Sequence, residues 1–239
     1  MIFEYDYKPV IEDFSKDGTL TMTAIVKIME NAANIHSDKV GDSVFNIRDL
    51  SRAWILTDWQ IQIDEYPVYG DEVKTETWSE GVASPLVANR NFIFYKNGTA
   101  CGIASTRWIL LDLTTGRPSR IDSSSLEKYE PEDKTVFEDK KLTKIPVPET
   151  FENEIKIPVR KSDIDFNNHV HNLTYLDFAK EVLPDDDYNK NFRTLRISYK
   201  TALKEGSTAI CRYAKVENQS VVFIFDDSLN QCCNVMFGE

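Results

Sequence analysis

Asp163, Asp165, Asn167, Asn168, His169, His171 and Asn172 fall within ten residues, in the stretch RKSDIDFNNHVHNLTYLDFAKEVLP that runs from Arg160 to Pro184. An extended chain alternates its side chains, so Asp165, Asn167 and His169 are predicted to project to one side, with Phe166 and Asn168 on the other. An apolar-periodic segment starts near His171 or Asn172, and the first amides of that helix have no partners within it. An acid beside an imidazole can activate water, while an amide side chain and helix amides can hold a developing oxyanion. Together they fit attack on a carbonyl, in acyl transfer or hydrolysis. The competing reading is structural, because Asp and Asn at a helix start often only cap it. With three histidines in the chain, and His36 expected on the apolar face of an earlier helix, His169 carries most of the chemical argument. No G-x-S-x-G occurs, so a serine elbow is not expected. His169, His171 and Asp165 are metal-ligand types, but 169 and 171 straddle the strand-to-helix junction and no further ligand has matching spacing, so no metal is expected.

Several elements must position these groups. In TLTMTAIVKIMENAANIHSDKVG, Met22, Ile25, Met29, Ala32 and His36 share one helical face, and Gly41 is a natural stop after about five turns. The helix is expected to start near Thr19 or Thr21, after an Asp17-Gly18 turn. In DWQIQID, Trp59, Ile61 and Ile63 alternate with Asp58, Gln60, Gln62 and Asp64, which predicts a strand with one wet face. Asn97-Gly98 predicts a hairpin between two β-rich runs, and Gly70-Asp71 another turn. Residues 127–150 are charged, with prolines at 131, 146 and 148, and read as a linker. The pattern then repeats: strand EIKIPVR, the polar cluster, helix NLTYLDFAKEVLP, and strands TLRISYKTAL, TAICRYAKV, SVVFIFDDS and QCCNVMF. Gly206 repeats the place of Gly70. The fold class is α+β, with an internal repeat over residues 1–126 and 151–239.

A length of 239 residues suffices for one large or two small cores. A net charge of -11 disfavours nucleic acid or an anionic membrane as partner. No long apolar run and no signal-like start are present, so a soluble, cytoplasmic protein is expected. Cys101 and Cys211 stand alone, Cys232 and Cys233 are adjacent, and no C-x-x-C occurs, which predicts reduced, structural cysteines.

DFNNHVHNLTYLDFAKE closely resembles the D-x-N-x-H-V-N-N-x-x-Y-x-x-W signature of plant and bacterial acyl-ACP thioesterases. AWILTDWQIQIDEYPVYGDEVKTETW and NRNFIFYKNGTACGIASTRWILLDLTTGRP resemble the same family. The resemblance implies a tandem hotdog, each half a long helix wrapped by an antiparallel sheet, with the acyl chain in the first half and catalysis on the second. By position it makes Asp165, Asn167 and His169 the catalytic acid, amide and imidazole, releasing fatty acid from acyl carrier protein without a cofactor. An acyl-CoA thioesterase and a non-catalytic acyl-binding protein are the alternatives. Because that family keeps the chain in the first half, Met22, Ile25, Met29, Trp54 and Trp59 are candidates to contact it. Arg160, Lys161, Arg196 and Lys200 are candidates to meet the acidic carrier, with Arg196 and Lys200 on one strand face. Departures are His171-Asn172 for two asparagines, Phe178 for tryptophan, and Ala202 and Leu203 where the family has glutamate and often cysteine. Leu203 excludes a thiol nucleophile, and Ala202 removes a carboxylate. Glu205 is expected on the opposite strand face. A homodimer is one allowed assembly, although a tandem repeat lessens the need for it.

Overall fold

The structure is a computed structural model that describes all residues except 44–50, 123 and 140. It divides into two compact units, Met1–Lys141 and Leu142–Glu239. The first unit is built around α1 (Met22–Lys39). Thr21 caps this helix, its Oγ1 accepting the Ala24 N–H at 3.1 Å. Gly41, at φ +78°, takes the left-handed conformation that ends it. Met22, Ile25, Val26, Ile28, Met29, Ala32 and His36 are all buried, and each large apolar side chain so covered contributes about 1.5–3 kcal/mol.

The sheet that covers α1 contains β1 (Phe3–Tyr7), β2 (Arg52–Ile63), β3 (Val73–Ser84), β4 (Val87–Lys96) and β5 (Thr99–Asp112). Its order is β1-β3-β4-β5-β2, with the short β6 (Arg117–Ser119) paired to β5, and every pairing is antiparallel. Trp59, Ile61 and Ile63 are buried while Gln60 and Gln62 are half-buried, as the alternation in the sequence requires. Trp59 packs on Phe92 with ring centroids 5.2 Å apart. Asn97 and Gly98 both have positive φ, 48° and 78°, which gives the β4–β5 hairpin the hand its strands need. The four-residue helix α2 (Ser124–Glu127) follows β6.

The second unit repeats the plan with a shorter helix. It runs through β7 (Asn153–Pro158), α3 (Asn172–Glu181), α4 (Asp185–Tyr188), β8 (Thr194–Tyr199), β9 (Thr208–Val216), β10 (Gln219–Phe225) and β11 (Gln231–Gly238). The strand order is β8-β11-β10-β9-β7, again antiparallel. Cys101, Cys211, Cys232 and Cys233 are buried thiols.

Among the described residues, none between Glu127 and Asn153 is helical or in a strand, yet this stretch is not a loose spacer. Its earlier part straps the first unit: Trp78 Nε1 donates to the Lys134 carbonyl at 2.9 Å and the Glu132 N–H to the Ser79 carbonyl at 2.9 Å. Its later part belongs to the second, where Arg196 Nε donates to the Thr143 carbonyl at 3.1 Å and Ile145 packs against the core cluster of Ala214, Val221, Phe223 and Met236. No helix among the described residues is long and apolar enough to cross a membrane.

Candidate active site

The cluster at 163–172 begins with a single 3-10 turn, Lys161–Asp163. Asp163 is buried and accepts the Arg160 N–H at 2.8 Å and the Arg160 guanidinium through Nε at 3.0 Å and Nη2 at 2.7 Å. Burial opposes its charge, but these bonds outweigh burial and hold the carboxyl below the usual carboxylate range. The Asp163 carbonyl then accepts the His171 N–H at 2.9 Å, and an antiparallel bridge joins Ile164 to Val170.

Between these anchors the chain is a tight turn, not the extended segment that alternation predicts. The Asp165 N–H donates to the His169 carbonyl at 2.8 Å, the Asn168 N–H to the Asp165 carbonyl at 3.1 Å, and Asn168 sits at φ +60°. Asp165 Oδ1 accepts the N–H groups of Asn167 at 2.8 Å and of His169 at 3.2 Å. The structural reading of Asp165 is therefore realised: its carboxylate organises the turn, and Oδ2 remains available. Asn167 and His169 are exposed at the rim, and Asp165 is half-buried.

His171 caps α3, its Nδ1 accepting the Leu173 N–H at 3.3 Å. One helix amide counted on for an oxyanion is thus already engaged. The chain after β8 is latched beside this start. Tyr199 Oη donates to the Asn172 carbonyl at 3.2 Å, the Leu203 N–H donates to Tyr175 Oη at 2.7 Å, and the Val170 N–H donates to the Leu203 carbonyl at 3.0 Å. Leu203 is buried, and Ala202, next to it, is exposed. Because β8 stops at Tyr199, no strand alternation governs Glu205, which lies in an exposed turn with Gly206.

The same loop occurs 150 positions earlier, 13 against 163, with different chemistry. Asp13 is buried and accepts the Val10 N–H at 2.9 Å, and its carbonyl accepts the Thr21 N–H at 2.9 Å. Phe14 bridges Leu20, the Ser15 N–H donates to the Thr19 carbonyl at 2.8 Å, and the Gly18 N–H donates to the Ser15 carbonyl at 3.0 Å. Gly18 holds φ +79°, where Asn168 holds +60°. The Leu20 N–H meets the Pro67 carbonyl at 2.8 Å, as Val170 meets Leu203. Ser15, Asp17 and Thr19 thus occupy the backbone positions of Asp165, Asn167 and His169.

Of the five residues expected to contact an acyl chain, Met22, Ile25, Met29 and Trp59 are packed in the closed core, each no more than 8% exposed. Trp54 alone borders a cavity of the first unit, with Ala33, Ala53, Arg90, Trp108 and Tyr129. Helix periodicity identifies a buried face but does not separate core from cavity wall. Arg90 and Tyr129 gave no sequence signal: one lies in an ordinary strand, the other in the charged stretch read as linker. Asp42 anchors this wall, accepting Trp54 Nε1 at 3.0 Å and Tyr129 Oη at 2.8 Å and pairing with Lys128 at 2.8 Å.

The four candidate carrier-binding cations do not form one patch. Arg196 is 6% exposed and donates to the Thr143 carbonyl and, through Nη1 at 2.6 Å, to the Ile197 carbonyl. It is structural, because β8 is buried on both faces. Lys161 and Lys200 are exposed, and Arg160 is exposed but forked onto Asp163. Among the described residues, no group of three His, Cys, Asp or Glu is placed to hold a metal.

Solved structures share the fold. An acyl-ACP thioesterase from Bacteroides thetaiotaomicron superposes with a TM-score of 0.85 at 22% identity, over 99% of this chain and 96% of that one. A 12:0-ACP thioesterase from Umbellularia californica gives 0.87 at 18% identity, over 99% and 96%. The fold is the double hotdog. The acyl-ACP thioesterase N-terminal domain matches residues 1–129 and the C-terminal domain residues 148–235, so the chain belongs to the acyl-ACP thioesterase family. The oleoyl-acyl carrier protein thioesterase 2, chloroplastic, of Arabidopsis thaliana is 25% identical over 204 residues, 77% of this chain and 55% of the relative. The chain spans about half the length of the curated relatives it matches.

Proposed function

We propose that this protein hydrolyses the thioester joining a fatty acid to acyl carrier protein, with Asp165, Asn167 and His169 as its catalytic residues. The observation that carries this reading is the turn that presents Asn167 and His169 at its rim on a backbone fixed by Asp165, in a chain of this family. His169 takes a proton from water as the water oxygen bonds to the thioester carbonyl carbon, and the free Oδ2 of Asp165 favours the imidazolium that forms. Asn167 donates to the carbonyl oxygen as it becomes an oxyanion. The tetrahedral centre collapses, the carbon–sulfur bond breaks, and the imidazolium returns its proton to the departing thiolate. Free acid and carrier thiol result.

Leu203 and Ala202 contribute neither nucleophile nor carboxylate, so water attacks directly, and the route uses no cofactor. Trp54 is the candidate contact for the acyl chain in the first unit, and Lys161, Lys200 and Arg160 are the candidate contacts for the acidic carrier. We place the reaction in the reducing cytoplasm, in keeping with four buried thiols. Acyl-CoA is the alternative substrate, since the chemistry at sulfur is the same. Ala202 favours a second reading, a protein that binds acyl groups without cleaving them. Fatty acid release from acyl-ACP, compared with acyl-CoA, tests all three. Release from acyl-ACP at the higher kcat/KM is expected, and binding of both thioesters with release from neither would establish the second reading.

A further inference from the structure

No step of the proposed hydrolysis uses a charged group of the first unit. Arg90, on β4, is 6% exposed. Its Nη1 lies 3.0 Å from His36 Nδ1 and 3.4 Å from Thr77 Oγ1, and its guanidinium carbon is 5.3 Å from the centre of the Tyr129 ring. Among the described residues no carboxylate pairs with it, and its Nε and Nη2 make no hydrogen bond. His36 does not take up the charge: burial first, then the neighbouring guanidinium, push its pKa down to about 3, so it is neutral. Burial lowers the pKa of Arg90 to about 10, Tyr129 and then Asp42 opposing the shift from beyond ion-pair contact, which leaves it charged at neutral pH. Asp42, the nearby acid, is occupied by Trp54, Tyr129 and Lys128. A buried charge with no carboxylate in ion-pair contact is costly, and it favours a ligand that neutralises it.

Arg90 borders the cavity whose other walls include Ala33, Ala53, Trp54, Trp108 and Leu126. We propose that this cavity binds an aliphatic carboxylate, the acid group pairing with Arg90 through Nε and Nη2 and the chain lying against Trp54, Trp108 and Leu126. A guanidinium fork matches a carboxylate in charge and in geometry. An unsubstituted acyl tail would leave the charge unpaired, and an alcohol would meet the N–H groups without neutralising it. The inference goes beyond the hydrolytic reading, because such binding requires no turnover. The acid has two sources, a released fatty acid or an acyl chain that carries a second carboxylate.

Trp54 and Trp108 make the binding visible as a change in intrinsic fluorescence. The intact protein is titrated with sodium octanoate, octan-1-ol and octylamine at neutral pH. Octanoate is expected to bind at least about tenfold more tightly than the alcohol, and the amine more weakly than either. In Arg90→Gln the preference for the acid disappears, and in Arg90→Lys part of it survives. Equal affinity for acid and alcohol in the unaltered protein, which depends on no variant folding, overturns the proposal, as does an undiminished preference in folded Arg90→Gln. Inhibition of octanoyl thioester hydrolysis by octanoate identifies the released acid as the ligand, whereas faster hydrolysis of the half-thioester of octanedioate identifies the carboxylated chain. A protein inert towards thioesters that still prefers octanoate removes the hydrolytic reading and keeps this one. An active protein without the preference does the reverse.

Discussion

Two kinds of residue meet in the turn proposed to be catalytic, those that hold it and those it presents. His169 is exposed and its side chain makes no hydrogen bond among the described residues, so His169→Ala should lower turnover by about a hundredfold or more at an unchanged melting midpoint. Full turnover in that variant would remove His169 from the reaction. Asp165 has both tasks. Asp165→Asn keeps an oxygen for the Asn167 and His169 amides and should fold normally but turn over slowly; Asp165→Ala loses both bonds and should also cost about 1–2 kcal/mol in denaturant unfolding. Equal stability of the two variants would mean that the carboxylate does not organise the turn. His36 gives a pH effect. Its folded pKa, about 3, lies below the unfolded value near 6.5, so between these limits the unfolded chain binds the extra proton. The resulting stability is present above about pH 6.5 and is lost as pH falls towards 3, by up to about 1.4 kcal/mol per pH unit. Thermal melts from pH 7 to 5 should fall in the native protein and flatten in His36→Phe. Spacing alone placed His36 on the apolar face correctly. Its partner Arg90 was not legible, because strand register decides which side chain faces the end of a helix.

At the level of elements, periodicity was informative wherever one face of an element is wet. It gave α1 with its Thr21 start and Gly41 stop, the alternation of β2 and the Asn97-Gly98 hairpin. It failed where both faces are covered or where the chain turns on its own side chains. β8 reads as a strand with two cations on one face, but four successive residues, Leu195 to Ser198, are buried, and Arg196 is among them. The 163–172 segment reads as extended, yet Asp165 accepts two of its own loop amides and bends it. Asn168 shows the cost of that bend. At φ +60° its conformation suits glycine, which stands at the corresponding Gly18. Asn168→Gly should therefore change stability by less than about 1 kcal/mol, whereas Asn168→Val should lose about 1–2 kcal/mol, read from urea midpoints. Loss of equal size in both would mean that the Asn168 side chain, not its backbone, matters.

For the whole molecule the difficulty is charge, since on the proposed reading a chain of net charge -11 recruits an acidic carrier through local cations. With Arg196 bound to two carbonyls, the burden falls on exposed Lys161 and Lys200. Reversing both to Glu should raise KM for acyl-ACP severalfold while hydrolysis of a small acyl thioester stays constant; equal loss on both substrates would reject these contacts. Arg196→Glu should instead unfold the protein at lower denaturant, because it buries an acid against carbonyl oxygens and strands both acceptors. The duplication was legible from the order of helix and hairpins and from Gly70 and Gly206. Its finest level, two loops sharing a hydrogen-bond pattern at 13–22 and 163–172, was not, because only the leading aspartate is common to both sequences. That shared backbone gives this chain a built-in experimental control. A substitution at 165, 167, 168 or 169 has its counterpart at 15, 17, 18 or 19 on the same scaffold, in the same molecule and under the same conditions. Subtracting the stability change at the first loop from that at the second separates what the backbone requires from what is reserved for chemistry.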